Sequence, residues 1–226
     1  MTLQVIEQDE GEASFTPSKI VCVGRNYVDH IKELGNEIPS DMVVFVKPNS
    51  AIGQSLPSFI QEPIHYETEL CFKVENGQFA AVGLGLDLTK RALQSSLKSQ
   101  QLPWERAKAF DGSAIFSQFI SLSTSSLKAN ASFCFMLTID DELIQLGHSD
   151  LMMYSVDQIH RSISEFMSLV DGDIVMTGTP KGVGEVTKGA VFEMKLWPGI
   201  EYHSYEQLLA DVNKAQPMIC QSWVAE

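Results

Sequence analysis

The chain has 226 residues, the size of one domain, and its 44% hydrophobic and 20% charged content excludes wholesale disorder. Twenty-nine acidic residues against 16 basic ones give a formal net charge of −13, which disfavours nucleic acid and anionic membranes as partners. The same charge repels anionic substrates, so a site for one needs local positive charge or a metal.

The first residues, MTLQVIEQDEGEA, are acidic where a secretory or transit signal would be basic. No apolar run nears the roughly 18–20 residues needed to cross a bilayer, so a cytoplasmic location is expected. Residues 19–24 (KIVCVG) predict a strand, and residues 26–34 a short helix with Asn26 as capping candidate and Gly35 as stop. Strands follow at 42–47 and 65–74, then a helix at 89–100 with Leu93 and Leu97 four residues apart. The Ser-rich stretch 121–131 predicts nothing. Residues 132–140 read as a strand that turns at Asp140–Asp141 into a partner at 142–145. Val156, Ile159, Ile163, Phe166 and Met167 have helical spacing within 156–169, and strands return at 173–178 and 191–197. Strands outnumber helices without alternating regularly, which predicts an α+β, mostly β fold in a single domain over 1–226. Cys22, Cys71, Cys134 and Cys220 are scattered with no C-x-x-C pair, so buried free thiols are expected.

Within the strand at 65–74, Glu67 and Glu69 are two residues apart and project from one face together with Cys71; Tyr66, Thr68, Leu70 and Phe72 take the other. Two acids side by side belong either to a solvent-facing strand or to a cation site. Asp87 ends an apolar stretch just before a predicted helix, as an N-cap or as a third carboxylate. Together the three offer hard oxygen ligands only, which suits Mg²⁺ or Mn²⁺ and not zinc. His30 and Glu33, three apart on a helix, are either a surface pair or a base with its orienting carboxylate. The Gly-rich TGTPKGVG (177–184) lacks the phosphate-loop order, because Lys181 precedes Gly182, and reads as a substrate-lining turn.

Six segments, VCVGRNYVDHIKELG, VVFVKP, HYETEL, LDLTKRALQ, LPWERAKAFDGSA and DGDIVMTGTPKGVG, occur in that order between about residues 19 and 196. They resemble the fumarylacetoacetate hydrolase family, in particular its short single-domain acylpyruvase branch. The resemblance implies a mixed β-roll or β-sandwich with a few short helices, usually a homodimer. It also implies Mg²⁺ or Mn²⁺ held by Glu67, Glu69 and Asp87. His30 and Glu33 match the family's water-activating dyad, and Lys108 matches the lysine that faces the substrate. Arg25, Gln94 and Thr179 match substrate-lining positions, and Lys47 matches a lysine near the site with no assigned role. Two departures stand out: Lys90-Arg91-Ala92 replaces the usual A-R-D, and residues 48–63 lack the usual Gly-Pro-rich loop.

The expected activity is hydrolysis of the C3–C4 bond of an acylpyruvate to pyruvate and a carboxylic acid. The metal would polarise the 2-oxo group, His30 would activate water, and Lys108 would steady the enolate. An oxaloacetate decarboxylase or a 2-oxo diacid tautomerase would use the same site, and a non-catalytic ligand-binding β domain is the reading of another class. The short helix at 26–34, with Tyr27, Ile31 and Leu34 on one face, holds only if docked, as a lid over the substrate would be.

Overall fold

The apolar, β-branched runs Lys19–Gly24, Thr68–Glu75 and Ile174–Met176 are buried along nearly their whole length. They therefore lie side by side at the centre of a sheet, covered on both faces. A computed structural model describes residues 1–7, 11–35, 37–122 and 131–226; most of the Ser-rich stretch, 123–130, lies outside these. Among the described residues this central sheet has nine strands. It is mixed: Ile174–Met176 runs parallel to Lys19–Gly24 and antiparallel to Thr68–Glu75. A second sheet orders Glu142–His148, Phe133–Ile139, Val191–Pro198 and Ile219–Val224, and a third is centred on Glu62–Tyr66. Phe72, Phe133, Phe135 and Phe192 join the sheets in one core with the Val156–Phe166 helix. The mostly β architecture agrees with the sequence.

Element ends differ from expectation for identifiable reasons. The predicted strand at 65–74 is divided at Glu67, where the chain leaves the third sheet at Tyr66 and enters the central one at Thr68. The first helix is only Val28–Glu33, and Asn26 does not cap it. The Asn26 side chain instead donates to the carbonyls of Thr177 (2.8 Å) and Tyr154 (3.1 Å) and accepts from the Tyr154 N–H (2.8 Å). The second helix is Arg91–Ser99, preceded by a two-residue strand at Thr89–Lys90, and its first N–H groups are received by Glu62 from a neighbouring strand. The helix Val156–Phe166 opens with a capping box of Ser155 and Gln158. Asp140 and Asp141 both take positive φ (49° and 67°) in the predicted hairpin turn. Cys22, Cys71 and Cys134 are buried free thiols, and Cys220 is a free thiol at the surface.

Gln78–Asp87, which the sequence marks only as an apolar stretch ending at Asp87, is a strand. A Cβ at Gly85 would lie 2.8 Å from the Phe116 ring and 3.0 Å from Cys71 Sγ. Glycine is there for close packing inside a central strand.

Asp173 anchors the segment before the Ile174–Met176 strand. Its buried carboxylate accepts from Ser18 Oγ (2.6 Å), Lys19 N (3.2 Å) and Val170 N (2.9 Å), and pairs with the Lys19 ammonium. Burial favours the neutral acid, but the bonds from Lys19, Ser18 and Val170 outweigh it and lower the pKa. Asp173→Asn is expected to cost on the order of 3 kcal/mol at neutral pH, measured by denaturant unfolding. A lowered folded-state pKa adds stability above the unfolded value of about 3.9 and loses it as pH falls through the folded value. The gap between parent and variant should therefore narrow below about pH 4.

Candidate active site

The three carboxylates are assembled by one hairpin. Glu69 pairs with Gly85 across it, and the Asp87 N–H donates to the Glu67 carbonyl at 2.9 Å. One oxygen from each of Glu67, Glu69 and Asp87 lies within 4.8 Å of the other two. All three side chains are buried, so the solvent-facing alternative does not hold, and Asp87 caps no helix.

Three cations hold this cluster. Lys108 Nζ donates to Glu67 Oε2 (2.8 Å), Asp87 Oδ2 (2.7 Å) and Thr89 Oγ1 (2.7 Å). It is buried among carboxylates, not solvated. Arg91 pairs with Glu67 Oε1 and donates to Gln94 Oε1 at 2.8 Å, while its Nε is buried without a partner. Lys47, fully buried, donates to the carbonyls of Lys108 and Ser113 and lies 2.8 Å from Asp87 Oδ1. Lys47 thus fixes the backbone that carries Lys108, a role the sequence did not reveal.

These charges set the titration of the cluster. Burial opposes ionisation of Glu67, but Lys108 and Arg91 outweigh it and hold its carboxyl far below the usual range. Burial lowers the pKa of Lys108, while Asp87 and Glu67 raise it further, so its ammonium is retained. Among the described residues no cation forms an ion pair with Glu69. Burial and the charges of Asp87 and Glu67 push it well up, against the Gly178 N–H at 2.7 Å and the more distant Lys108. Asp87 Oδ1 is buried without a hydrogen-bond donor, since Lys47 approaches it as an ion pair without bonding geometry. An under-compensated carboxylate and an all-oxygen donor set fit a hard divalent cation.

The short helix forms the opposite wall. Tyr27 and Ile31 are buried beneath it, and His30 is only 5% exposed. His30 Nδ1 lies 3.2 Å from Glu33 Oε2, and Glu33 Oε1 accepts the Gly182 N–H at 2.9 Å. A carboxylate only accepts, so in the neutral imidazole this contact puts the proton on Nδ1 and the lone pair on Nε2. His30 therefore lines the pocket, with Glu33 behind it joining the imidazole to the Gly182 turn. Arg25 (φ +57°), Gln94 and Thr179 line the same pocket, together with Phe45, Lys98 and Trp104. Thr179 is held by Gln145, whose Nε2 donates to its Oγ1 at 3.0 Å and to the Pro180 carbonyl at 2.9 Å. Gln145 Oε1 accepts the Thr68 N–H (3.1 Å), tying this turn to the carboxylate strand. Gly178 (φ +99°) brings its N–H to Glu69; a Cβ there would lie 2.8 Å from that of Asn26. Gln145 carried no readable signal and Asn26 only that of a helix cap, because both act across distant segments.

Residues 19–78 and 79–208 match the family model for the C-terminal region of fumarylacetoacetate hydrolase. The chain belongs to the fumarylacetoacetate hydrolase family. Over 188 residues it is 35% identical to the oxaloacetate tautomerase YcgM of Escherichia coli, covering 76% of this chain and 85% of that one. Its fold superposes on a fumarylacetoacetate isomerase/hydrolase homologue of Oleispira antarctica with a TM-score of 0.81, 30% identity and 99% coverage of both chains. It superposes on the fumarylpyruvate hydrolase of Pseudomonas aeruginosa, in complex with Mn²⁺ and pyruvate, with a TM-score of 0.77 and 28% identity. That match covers 86% of this chain and 91% of the other. The fold is thus that of the family. No helix among the described residues is long and apolar enough to cross a membrane.

Proposed function

We propose that this protein is a metal-dependent enzyme that interconverts the keto and enol forms of oxaloacetate or a close 2-oxo dicarboxylic acid. The observation that carries this reading is one pocket lined by an oriented imidazole, His30, a charge-stabilising lysine, Lys108, and the carboxylate cluster. Enolisation needs those two functions, a base at C3 and a cation at the C2 oxygen. Similarity to an oxaloacetate tautomerase supports it. It thus takes the second of the activities considered from the sequence in place of the first.

Glu67, Glu69 and Asp87 would hold Mg²⁺ or Mn²⁺, which when bound supplies Lewis acidity to the 2-oxo acid. His30 Nε2 removes a C3 proton, while Glu33 keeps the tautomer and balances the imidazolium. The C–H electron pair becomes the C2–C3 double bond and the carbonyl pair moves onto the C2 oxygen. The Lys108 ammonium meets that charge, and protonation of the oxygen completes the enol. Thr179 and Gln94 orient the substrate.

Acylpyruvate hydrolysis is the second reading, in which the same imidazole deprotonates water; similarity to a fumarylpyruvate hydrolase favours it. One assay separates the two from decarboxylation. Metal-loaded protein is given freshly dissolved enol oxaloacetate and, separately, acetylpyruvate, with enol absorbance and pyruvate release followed together. The expected result is fast loss of enol without stoichiometric pyruvate. Equilibration at the buffer rate, with acetylpyruvate cleaved, would overturn the tautomerase reading in favour of the hydrolase.

A further inference from the structure

The pocket lining includes Lys98, an ammonium that none of the cluster's carboxylates engages among the described residues. Arg91, Gln94 and Lys98 share a face of the Arg91–Ser99 helix at i, i+3 and i+7, and all three line the pocket. Arg91 is committed to Glu67 and Gln94. Lys98 stands apart from the cluster, its Nζ 4.8 Å from the centroid of the Trp104 ring, and no carboxylate among the described residues pairs with it. Partial burial, then the positive charges of Arg25, Arg91 and Lys108, lower its pKa to about 8. An ammonium kept in such a place gains most from an anion arriving with the ligand. The aromatic shelf fixes where that anion must sit.

We propose that Lys98, standing on Trp104 beside Arg25, is the specificity-determining residue that receives the second carboxylate of a 2-oxo dicarboxylic acid. This rests on the reading above, in which the 2-oxo acid end lies at Glu67, Glu69 and Asp87. The second carboxylate then reaches along the Arg91–Ser99 helix from Gln94 to Lys98, one turn away. A 2-oxo monoacid places nothing there and leaves the ammonium among like charges. The pocket therefore favours dicarboxylates even though the protein as a whole is acidic.

The test uses the Mg²⁺-loaded full chain with Lys98→Met and Lys98→Arg. Binding of pyruvate and of 2-oxoglutarate is measured by calorimetry, and KM and kcat are measured with oxaloacetate. Pyruvate reports only the 2-oxo acid end, whereas the ratio of the two affinities reports the second carboxylate. Lys98→Met is expected to weaken 2-oxoglutarate binding and raise the oxaloacetate KM by roughly 10- to 100-fold, the scale of one charge-assisted hydrogen bond. Pyruvate affinity and kcat should hold within about threefold, and Lys98→Arg should recover most of the loss. Equal weakening of pyruvate and dicarboxylate, or no weakening of either, would overturn the assignment. Parent protein that binds pyruvate but does not tautomerise oxaloacetate would remove the functional reading alone; the binding ratio would still decide the role of Lys98. Parent protein that binds neither ligand would overturn both.

Discussion

Glu69→Gln protein is expected to lose metal binding and turnover while its metal-free form melts no lower than the parent. The two outcomes part because Glu69 is the least compensated of the three carboxylates. Lys108 and Arg91 serve Glu67, and Lys108 and Lys47 serve Asp87, but among the described residues the Glu69 carboxylate receives only the Gly178 N–H directly. Its ionised form is disfavoured by burial and by both neighbouring acids. Glutamine removes that charge, keeps the shape and still offers an oxygen to Gly178, so the fold has little to lose. The metal site loses one of its three anionic donors. Turnover should fall by roughly 10³-fold or more, since a Lewis-acidic cation supplies several kcal/mol in the transition state. A ligand at 100 times its Kd stabilises by about 2.7 kcal/mol, roughly 5–10 °C in melting temperature for a chain of this size. The parent should show that shift on adding Mg²⁺ or Mn²⁺, and Glu69→Gln should show little of it. Full activity of the parent after exhaustive chelation would sink the metal assignment.

The parts of this site that were legible in the sequence are those set by short-range geometry. Glu67 and Glu69 stand two apart, and His30 and Glu33 three apart, so local periodicity alone places each pair within reach. What made them a site is nonlocal. Burial of the carboxylates, and with it the decision against a solvated strand, follows from pairing with Gln78–Asp87. That strand showed only as an apolar stretch, because Gly83 and Gly85, which make room for Phe119 and Phe116, interrupt its β-branched pattern. Glu67 could not be recognised as the point where the chain passes between sheets, since HYETELCFKV is uniformly strand-like. Asn26 sat where a helix cap belongs, but its partners at Tyr154 and Thr177 are more than 120 residues away. Resemblance placed Lys47 near the site without a role, and nothing in the sequence marked Lys98. Only the folded arrangement separates the one buried beneath Asp87 from the one held over Trp104. Arg25, Gln94 and Thr179 were placed by family resemblance, and no spacing rule would have brought them to one pocket.

His30→Ala is expected to divide the activities that this carboxylate cluster could support. Tautomerisation requires a base to take the C3 proton, and acylpyruvate hydrolysis requires one to activate water. Decarboxylation of oxaloacetate requires neither, because the departing carboxyl group leaves its electron pair behind. Loss of the imidazole should therefore slow tautomerisation by roughly 10²–10⁴, the usual contribution of a positioned general base. Decarboxylation should change much less, since Lys108 and the carboxylates are untouched. Glu33→Gln should give the same selectivity in milder form. The imidazole remains, but the acceptor that holds Nδ1 at 3.2 Å loses its charge, and the link to Gly182 is weakened. The measurement is parallel kinetics of enol loss and pyruvate release on one batch of metal-loaded protein. Equal loss of both would mean that the Val28–Glu33 helix serves as a clamp on the substrate, with His30 as part of its packing. Unchanged tautomerisation would place the base elsewhere in the pocket and remove His30 from the mechanism.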